Sequence, residues 1–247
     1  MSHHTPTMSP AGTPLADRTV GELVAESPGL SRVFQKHHLD FCCQGAKTVR
    51  EACEKKGLVT DEIVTELENA SKAQPEDEKN PAELSPAELA DYIIERHHGF
   101  LVQELPRLHA MAQRVAQVHG GHTPSLIELF HVFDRLFVEL SNHMAKEEQV
   151  LFPAIKKLAG EDLQEGTFSG PLATPIAMMR HEHDDTGADL EKLHELTKGY
   201  HPPPEACNTY RALFAGLADL DSDLHVHIHL ENSVLFPAAE KLAAQAA

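Results

Sequence analysis

The sequence predicts an all-α protein, with a small helical unit at the N-terminus followed by a four-helix bundle. Three observations support this. A His-x-x-x-Glu segment occurs twice, each time leading into Val-Leu-Phe-Pro. Helical periodicity runs from Pro86 to the end, with no strand-like alternation to compete with it. Aromatic residues make up only 5% of the 247 residues and Trp is missing, which suits helices rich in Leu and Ala.

The small N-terminal unit is predicted over residues 15–72. A Pro- and Ser-rich segment at 1–14, expected to be disordered, precedes it, and a polar linker at 73–85 follows. Thr19 and Glu22 have the spacing of a capping box and predict a helix start. The predicted elements of this unit are VGELVAE after Thr19, LSRVFQKHHL after the break at Pro28-Gly29, the turn DFCCQG, and helices near 47–57 and 60–72.

The bundle is predicted over residues 86–243. Its loops are marked by HGGHTP, AGEDLQEGTFSGP and GYHPPP. The four helices are predicted at about 86–117, 124–158, 172–198 and 204–243. We expect a kink or an interruption at Pro106, Pro153 and Pro237, which lie in the first, second and fourth of these helices.

The duplicated segment supplies the candidate metal ligands. HMAKEEQVLFP begins at residue 143 and HIHLENSVLFP at residue 227, and each places a His four residues before a Glu. Positions i and i+4 share one face of a helix, so the two side chains can bind one ion, or the carboxylate can bridge two. One further His precedes each copy, by 45 and 44 residues. The candidate ligands are therefore His98, His143, Glu147, His183, His227 and Glu231.

Four His and two Glu facing one bundle centre suit a pair of transition-metal ions. Imidazole binds Fe, Zn, Cu or Ni, and a bridging carboxylate favours a dinuclear iron-type site. The neighbouring His97, His181, His225 and His229 are expected to point elsewhere, and to be solvated or to support the ligands, because a helix turns about 100° per residue. His119, beside a Gly-Gly loop, could approach the open end of the site. Glu182 could line an access path, although a solvated carboxylate is the simpler reading.

Cys42 and Cys43 lie side by side in HHLDFCCQG. They are candidate ligands for a metal or for thiol exchange, and the alternative is a buried apolar pair. Cys53 and Cys207 are single and are expected to be structural.

Charge and hydropathy exclude several classes of function. Acidic residues outnumber basic ones by 38 to 21, which argues against nucleic acid or an anionic membrane as the main partner. No run of eighteen apolar residues predicts a transmembrane helix, and the N-terminus lacks the pattern of a secretion signal. A cytoplasmic protein is expected.

Together these motifs resemble the RIC (repair of iron centres) family of hemerythrin-like di-iron proteins. LDFCCQG resembles its small cysteine-containing domain, and SNHMAKEEQVLFP, HEHDDTG and HIHLENSVLFP resemble its bundle. The resemblance implies two iron ions, with the four His above as terminal ligands and Glu147 and Glu231 as bridges. Family members commonly have Gly where this chain has Gln44, and Gln restricts the turn if that position needs a positive φ.

The resemblance also implies a function, the repair of iron–sulfur clusters damaged by nitric oxide or peroxide, with damaged or apo iron–sulfur proteins as partners. On physical grounds we expect a site with only two carboxylates to hold its iron weakly enough to donate it, and we hypothesise that Cys42 and Cys43 act as transient iron ligands or as reductants during transfer. Two alternatives stay open at this point. One is binding, reduction or sensing of nitric oxide or dioxygen, including nitric oxide reductase activity. The other is an interaction module, in which the N-terminal unit docks a partner or makes a homodimer.

Overall fold

The computed structural model describes residues 13–72, 80–160 and 171–246, and within these ranges the chain forms helices joined by turns. The predicted all-α class is confirmed. The α-helices are α1 (Val20–Glu26), α2 (Ser31–Lys36), α3 (Val49–Lys56), α4 (Thr60–Lys72), α5 (Pro86–Ile93), α6 (Gly99–His119), α7 (Ser125–Lys146), α8 (Phe152–Leu158), α9 (Ala173–Leu196), α10 (Asn208–His229) and α11 (Phe236–Ala246).

The chain divides into two compact units. The first contains the described residues up to Leu84 together with Ile228–Pro237, and the second contains Ser85–His227 together with the residues from Ala238 onward. Among the described residues, no helix combines the length and the apolar character needed to cross a membrane. The predicted disordered segment 1–14, the linker 73–85 and the loop after Leu158 lie largely outside the described ranges.

The first unit begins with the predicted capping box. Thr19 accepts a hydrogen bond from the Glu22 N–H, and the Glu22 carboxylate accepts one from the Thr19 N–H. A second capping box, formed by Thr48 and Glu51, starts α3 and was not predicted. These helices close on a buried core of apolar side chains, whose largest members are Phe34, Phe41, Ile63 and Leu67.

A close approach of backbones fixes the turn between α2 and α3. The Gly21 N–H donates to the Gly45 carbonyl at 2.9 Å. A Cβ added to Gly45 would lie 2.9 Å from the Phe41 carbonyl oxygen and 3.2 Å from the Ser233 hydroxyl. Gly45 is therefore required by space. Gln44 is not among the described residues with a positive φ, so the Gln at this position does not strain the turn.

The second unit is a four-helix bundle around one apolar core. The core takes side chains from α6, α7, α9 and α10, among them Leu105, Phe133, Leu190 and Phe214. Apolar residues recur at three- and four-residue spacing on each helix, so one face of each helix is buried. Burial of this face holds the four helices together and positions the polar side chains at the ligand-bearing end.

Three wide turns interrupt the long helices close to the predicted ligands. They are π-helical and span Ile94–His98, Glu147–Leu151 and Leu230–Leu235. In each, an N–H donates to the carbonyl five residues back, as Phe152 does to Glu147 and Phe236 to Glu231. The break predicted at Pro153 and Pro237 thus takes the form of a wide turn that ends just before each Pro.

Pro106 behaves differently from the other two prolines. It lies inside Gly99–His119 and does not interrupt that helix. Pro106 and Val102, whose carbonyl loses its helical partner, are both exposed residues, so water has access to this part of the helix.

Candidate metal centre

The bundle brings His143, Glu147 and His183 together in its interior. The Nε2 atoms of His143 and His183 lie 3.1 Å apart, and their ring centroids are separated by 4.9 Å. All three side chains are buried, with Glu147 at 0% exposure. Two imidazole nitrogens and a carboxylate facing one point in an apolar interior are the arrangement of a metal site.

Glu147 faces a second imidazole with its other oxygen. Oε1 lies 3.2 Å from Nε2 of His143, and Oε2 lies 3.3 Å from Nε2 of His98. The ring of His98 is 5.1 Å from the ring of His227, centroid to centroid. One carboxylate oxygen is therefore directed to each imidazole pair, as a bridge between two ions requires.

All six predicted ligands belong to this cluster. His98, Glu147, His227 and Glu231 form one set in which every ligand atom lies within 4.8 Å of the others, and His143, Glu147, His183 and Glu231 form a second. Glu147 and Glu231 are common to both sets, and each is 0% exposed. Two overlapping sets of four buried residues share two carboxylates, and each set could hold a metal ion.

Two outer carboxylates hold two of the imidazoles in place. Nδ1 of His98 lies 2.8 Å from Oε1 of Glu148, and Nδ1 of His143 lies 2.8 Å from Oε2 of Glu182. In the tautomer that donates its Nδ1–H to this carboxylate, each ring directs the lone pair of Nε2 into the cluster. The hydrogen bond from His143 lowers the pKa of Glu182 to about 2, with Lys146 acting in the same direction against the effect of partial burial.

The directions of the imidazole Nε2 atoms indicate whether a metal ion fits the cluster. An Nε2 lone pair 3.3 Å from a buried carboxylate oxygen is repelled unless a cation lies between them, and His98 faces Glu147 in this way. His143 and His183 likewise direct Nε2 atoms toward each other. The donor set of imidazole and carboxylate therefore fits metal ions, and the six residues would hold them.

The neighbouring His residues depart in part from expectation. His181 is solvated as predicted, with 77% of its side chain exposed. His97 is buried, its Nδ1 lies 3.1 Å from both oxygens of Asp223, and its ring stacks on His227. His225 bonds to the Asp221 carbonyl at 2.7 Å. His97 is therefore not solvated but lies against a predicted ligand, which was the other of the two expectations, because packing between helices covers its ring.

His229 is buried for a different reason. Its ring meets the Phe41 ring at a centroid distance of 5.6 Å, inside the first unit. Burial lowers the pKa of His229 to about 4, only partly offset by the backbone of Phe41, so the ring is neutral at physiological pH. Helical phase kept His229 out of the ligand set, as predicted, but did not reveal what covers it.

The sequence left open whether His119 approaches the metal cluster and whether Glu182 lines an access path to it. His119 ends α6, a helix of 21 residues that begins directly after His98. At 1.5 Å per residue, about 30 Å of helix separates the two, so His119 does not approach the cluster. Its Nε2 lies 3.3 Å from Sγ of Cys207. Glu182 binds His143 and Lys146, so it is a partner of a ligand and not only a solvated carboxylate.

The adjacent cysteines form a smaller cluster in the first unit. Sγ of Cys42 lies 3.5 Å from Sγ of Cys43 and 3.3 Å from Oδ1 of Asp40. The bond with Cys43, burial and the charge of Asp40 all raise the pKa of Cys42 well above its ordinary value. Asp40 was not singled out from the sequence, although a carboxylate two residues before a Cys pair is a readable signal.

Comparison with known proteins agrees with this geometry. The family model "Hemerythrin HHE cation binding domain" matches residues 89–239, and "Domain of Unknown function (DUF542)" matches residues 16–71. The chain is 41% identical to iron-sulfur cluster repair protein YtfE of Pectobacterium carotovorum, 39% to the protein of that name from Escherichia coli O1:K1 / APEC, and 35% to a probable iron-sulfur cluster repair protein of Haemophilus influenzae. Each alignment covers 90% of this chain and 96% of the relative. The chain therefore belongs to the RIC family of hemerythrin-like proteins.

Proposed function

We propose that this protein repairs damaged iron–sulfur clusters by donating iron held at the His and Glu cluster of the bundle. The observation that carries the proposal is the buried set of six ligands, with Glu147 and Glu231 shared between two groups. It is supported by relatives that align over nearly their whole length and are named for iron–sulfur cluster repair. The substrate class is an apo or damaged iron–sulfur protein, and the cargo is ferrous iron.

The balance of charge favours release of iron over permanent storage. Two ferrous ions carry four positive charges, whereas Glu147 and Glu231 supply two negative charges and the four imidazoles are neutral. Ferritin-like di-iron bundles bind their ions with four Glu and two His. A site with fewer carboxylates compensates less of the ionic charge, and we expect it to hold its second ion more weakly.

The residues around the ligands have separate tasks in this proposal. Glu148 and Glu182 hold the imidazoles of His98 and His143 in the metal-binding tautomer. Both outer carboxylates are partly exposed, at 42% and 26% of the side chain. A proton taken up from solvent by an outer carboxylate would weaken its hydrogen bond to the Nδ1–H, so the imidazole would be held less firmly in its metal-binding orientation and would bind its ion more weakly.

Cys42 and Cys43 act during transfer in this proposal. Two thiols in a partly exposed turn can bind a ferrous ion for a short time, because sulfur is a preferred ligand of iron in clusters. Because the pKa of Cys42 is raised, its thiol must lose a proton before it can bind an ion or act as a reductant, since the thiolate is the reactive form of cysteine. Nitrosative and oxidative damage would create the clients.

Anaerobic transfer tests the proposal. The iron-loaded protein is incubated with an apo iron–sulfur enzyme, sulfide and a thiol reductant, and the client's activity is followed over time. Ferrous ion at the same concentration, with a weak chelator, is the control for spontaneous assembly. We expect faster reactivation by the loaded protein than by the control. Equal rates, or iron that stays on the protein while the client remains inactive, would contradict the proposal.

A matched pair of variants sharpens this test. Glu231→Gln removes the charge of a shared ligand, and His181→Gln alters a solvated side chain of the same bundle. We expect the first to abolish reactivation and the second to leave it unchanged. The alternative of nitric oxide or dioxygen chemistry predicts instead that the loaded protein consumes the gas without losing iron to a client.

A further inference from the structure

We propose that Asp40, Cys42 and Cys43 form a second cation site, distinct from the His and Glu cluster, which takes one divalent first-row transition-metal ion. One ligand atom from each of these residues lies within 4.8 Å of the other two. The inference goes beyond iron donation by the bundle, because it assigns a binding site and its ligands to the first unit. It deepens the transfer role that the proposed function gives to the two cysteines, and its evidence is the geometry of residues 40–43.

The spacing of the sulfurs suits shared coordination. At 3.5 Å, the two Sγ atoms are much farther apart than the about 2.05 Å of a disulfide, so they are two thiols. With metal–sulfur bonds of about 2.3 Å, sulfurs at this separation subtend an angle of about 100° at the ion. This is close to a tetrahedral angle, so an ion can bind both sulfurs with little movement of the turn.

Asp40 supplies the third ligand and holds the turn in place. Its Oδ1 accepts the backbone N–H groups of Cys42, Cys43 and Gln44, at 3.1, 2.9 and 3.3 Å. A carboxylate has about four acceptor sites on its two oxygens, so these bonds leave capacity for a cation. Each thiol would pass its proton to solvent as it binds, and two thiolates and a carboxylate would then surround the ion.

Neighbouring contacts of the first unit keep the turn in one conformation. The Asn232 side-chain N–H donates to the Cys42 carbonyl at 3.2 Å. Phe41 is fully buried and packs against Phe34 at a centroid distance of 6.1 Å. With the tight approach at Gly45, these contacts anchor both sides of the Cys pair. A site built on an anchored turn loses less conformational entropy on binding.

The site is open enough to exchange its ion. Cys42 is buried, whereas Cys43 and Asp40 are partly exposed. Three protein ligands leave a fourth position of a tetrahedral site for water or for a ligand from a partner. Lys47 and Lys55 both donate to Oε1 of Gln44 and place positive charge near the turn. That charge opposes a cation, so we expect moderate affinity, as suits an ion that is passed on.

The simpler reading is that Asp40 only fixes the turn by accepting backbone hydrogen bonds. Asn accepts such bonds through its side-chain oxygen but carries no charge. Asp40→Asn therefore separates the two roles, because a purely structural role would survive it. Removal of an outer hydrogen-bond partner costs a metal site about tenfold or more in affinity. Loss of the charged ligand Asp40 should weaken a cation site by at least this much.

Cobalt(II) is the probe, because its thiolate complexes have charge-transfer absorption that imidazole and carboxylate complexes lack. The chain contains 18 His, so total bound cobalt would not identify the site. The iron-loaded full chain, in its ferrous state and with a phosphine reductant, is titrated anaerobically, and difference spectra are recorded. We expect a thiolate-to-cobalt band that saturates at one equivalent per chain, with the bundle iron retained by metal analysis.

Four variants complete the test. Cys42→Ser and Cys43→Ser should each remove most of the band, and Asp40→Asn should shift its midpoint at least about tenfold. Cys207→Ser should leave it unchanged, which excludes the Cys207 and His119 pair as its source. Circular dichroism checks that each variant is folded.

The proposal is overturned if the loaded wild-type chain shows no thiolate band. It is also overturned if the band survives Cys42→Ser, or if Asp40→Asn titrates like wild type. Any of these results removes the ligand role of the two cysteines but does not bear on whether iron leaves the bundle cluster, which reactivation of the client measures. Loss of reactivation with an intact cobalt band would instead contradict the proposed function and leave this site standing.

Discussion

The two clusters of metal-ligating side chains differ in how their surroundings are built. The His and Glu cluster lies on long helices, its shared carboxylates are 0% exposed, and outer carboxylates orient two of its imidazoles. The Asp40, Cys42 and Cys43 cluster lies on a turn, is partly exposed, and is oriented mainly by backbone N–H groups. The His and Glu cluster is suited to holding ions, and the Asp40, Cys42 and Cys43 cluster is suited to exchanging an ion.

The two clusters also differ in the chemistry of their donor groups. Imidazole binds a metal in its neutral form, whereas a cysteine must lose its thiol proton first. In the turn, a buried thiol beside a carboxylate keeps its proton, since the pKa of Cys42 is raised. The comparison therefore predicts tighter binding in the bundle and faster exchange at the turn.

The largest expected effect is the loss of bundle iron when a shared carboxylate is neutralised. Glu147→Gln and Glu231→Gln should reduce iron from two ions per chain to fewer than one, because each residue belongs to both ligand sets. His181→Ala, which alters an exposed His, is the control and should keep both ions. Metal analysis of the purified variants measures this. Similar losses in all three would show that the cluster is not the iron site.

Acidification should release iron from the bundle almost as completely as neutralisation of a shared carboxylate does. Ligand His must be neutral, so protons compete with the metal, and titration from about pH 7.5 to about pH 4 spans the ordinary His pKa of about 6.5. The pKa of Glu182 is lowered to about 2, so that carboxylate stays ionised through this range and release reports the imidazoles. A ferrous chelator follows the iron, and circular dichroism separates release from unfolding.

The same titration distinguishes the two clusters. Because the pKa of Cys42 is raised, its proton competes with a cation even at neutral pH, and the thiolate-to-cobalt band should disappear at a higher pH than bundle iron. Retention of all bundle iron at the acid end of the titration, in a folded chain, would argue against a His-dominated site that donates iron.

The double variant Cys42→Ser/Cys43→Ser should separate holding from transfer. The cysteines are not part of either ligand set in the bundle, so its iron content should stay at the wild-type value. Reactivation of the client should fall severalfold. Iron stoichiometry and reactivation are measured on the same samples, with Cys207→Ser as the matched thiol control. Unchanged reactivation would make the pair structural.

A smaller effect is expected from an outer carboxylate. Glu182→Gln replaces the acceptor of the His143 Nδ1–H with a weaker one, and loss of such a partner costs a metal site about 10–100-fold in affinity. Competition with a ferrous chelator measures the change. His181→Ala, the neighbouring exposed position, serves as the control. Wild-type affinity in Glu182→Gln would mean that the helix scaffold alone orients His143.

Repetition made the ligand positions readable from the sequence. Two copies of one motif, each with an i to i+4 pair, placed Glu147 and Glu231 on helix faces that meet the other predicted ligands. The outer partners Glu148 and Glu182 were not assigned, because they depend on which helices pack side by side. The wide turns were also missed, since a single shifted hydrogen bond leaves no periodic trace.

The first unit was less predictable than the bundle, because its contacts also depend on which segments pack together. The Thr19 capping box was read from its spacing, and the Thr48 box has the same spacing but was overlooked. The burial of His229 against Phe41 joins residues 188 positions apart in sequence (229 minus 41), and no local pattern reports such a contact. The role of Asp40 was not predicted either, because it depends on the conformation of the turn, whose backbone N–H groups the carboxylate binds.

The smallest expected effect concerns the stability of the Cys turn. Gly45→Ala places a Cβ 2.9 Å from the Phe41 carbonyl oxygen, and backbone must shift to accommodate it. Overpacking of this kind costs about 1–3 kcal/mol in the free energy of unfolding. Gly121→Ala is the matched control, since a Cβ there meets nothing within 4 Å and the position has no positive φ.

Urea unfolding of the two glycine variants measures the difference, and the cobalt titration shows whether it reaches the turn. If anchoring of the turn positions Cys42 and Cys43, Gly45→Ala should weaken the thiolate-to-cobalt band as well as the fold, whereas Gly121→Ala should change neither. Bundle iron should be retained in both variants, because Gly45 contributes no ligand. A destabilised Gly45→Ala with an unchanged cobalt midpoint would show that the sulfurs adopt their spacing without help from the packing around them.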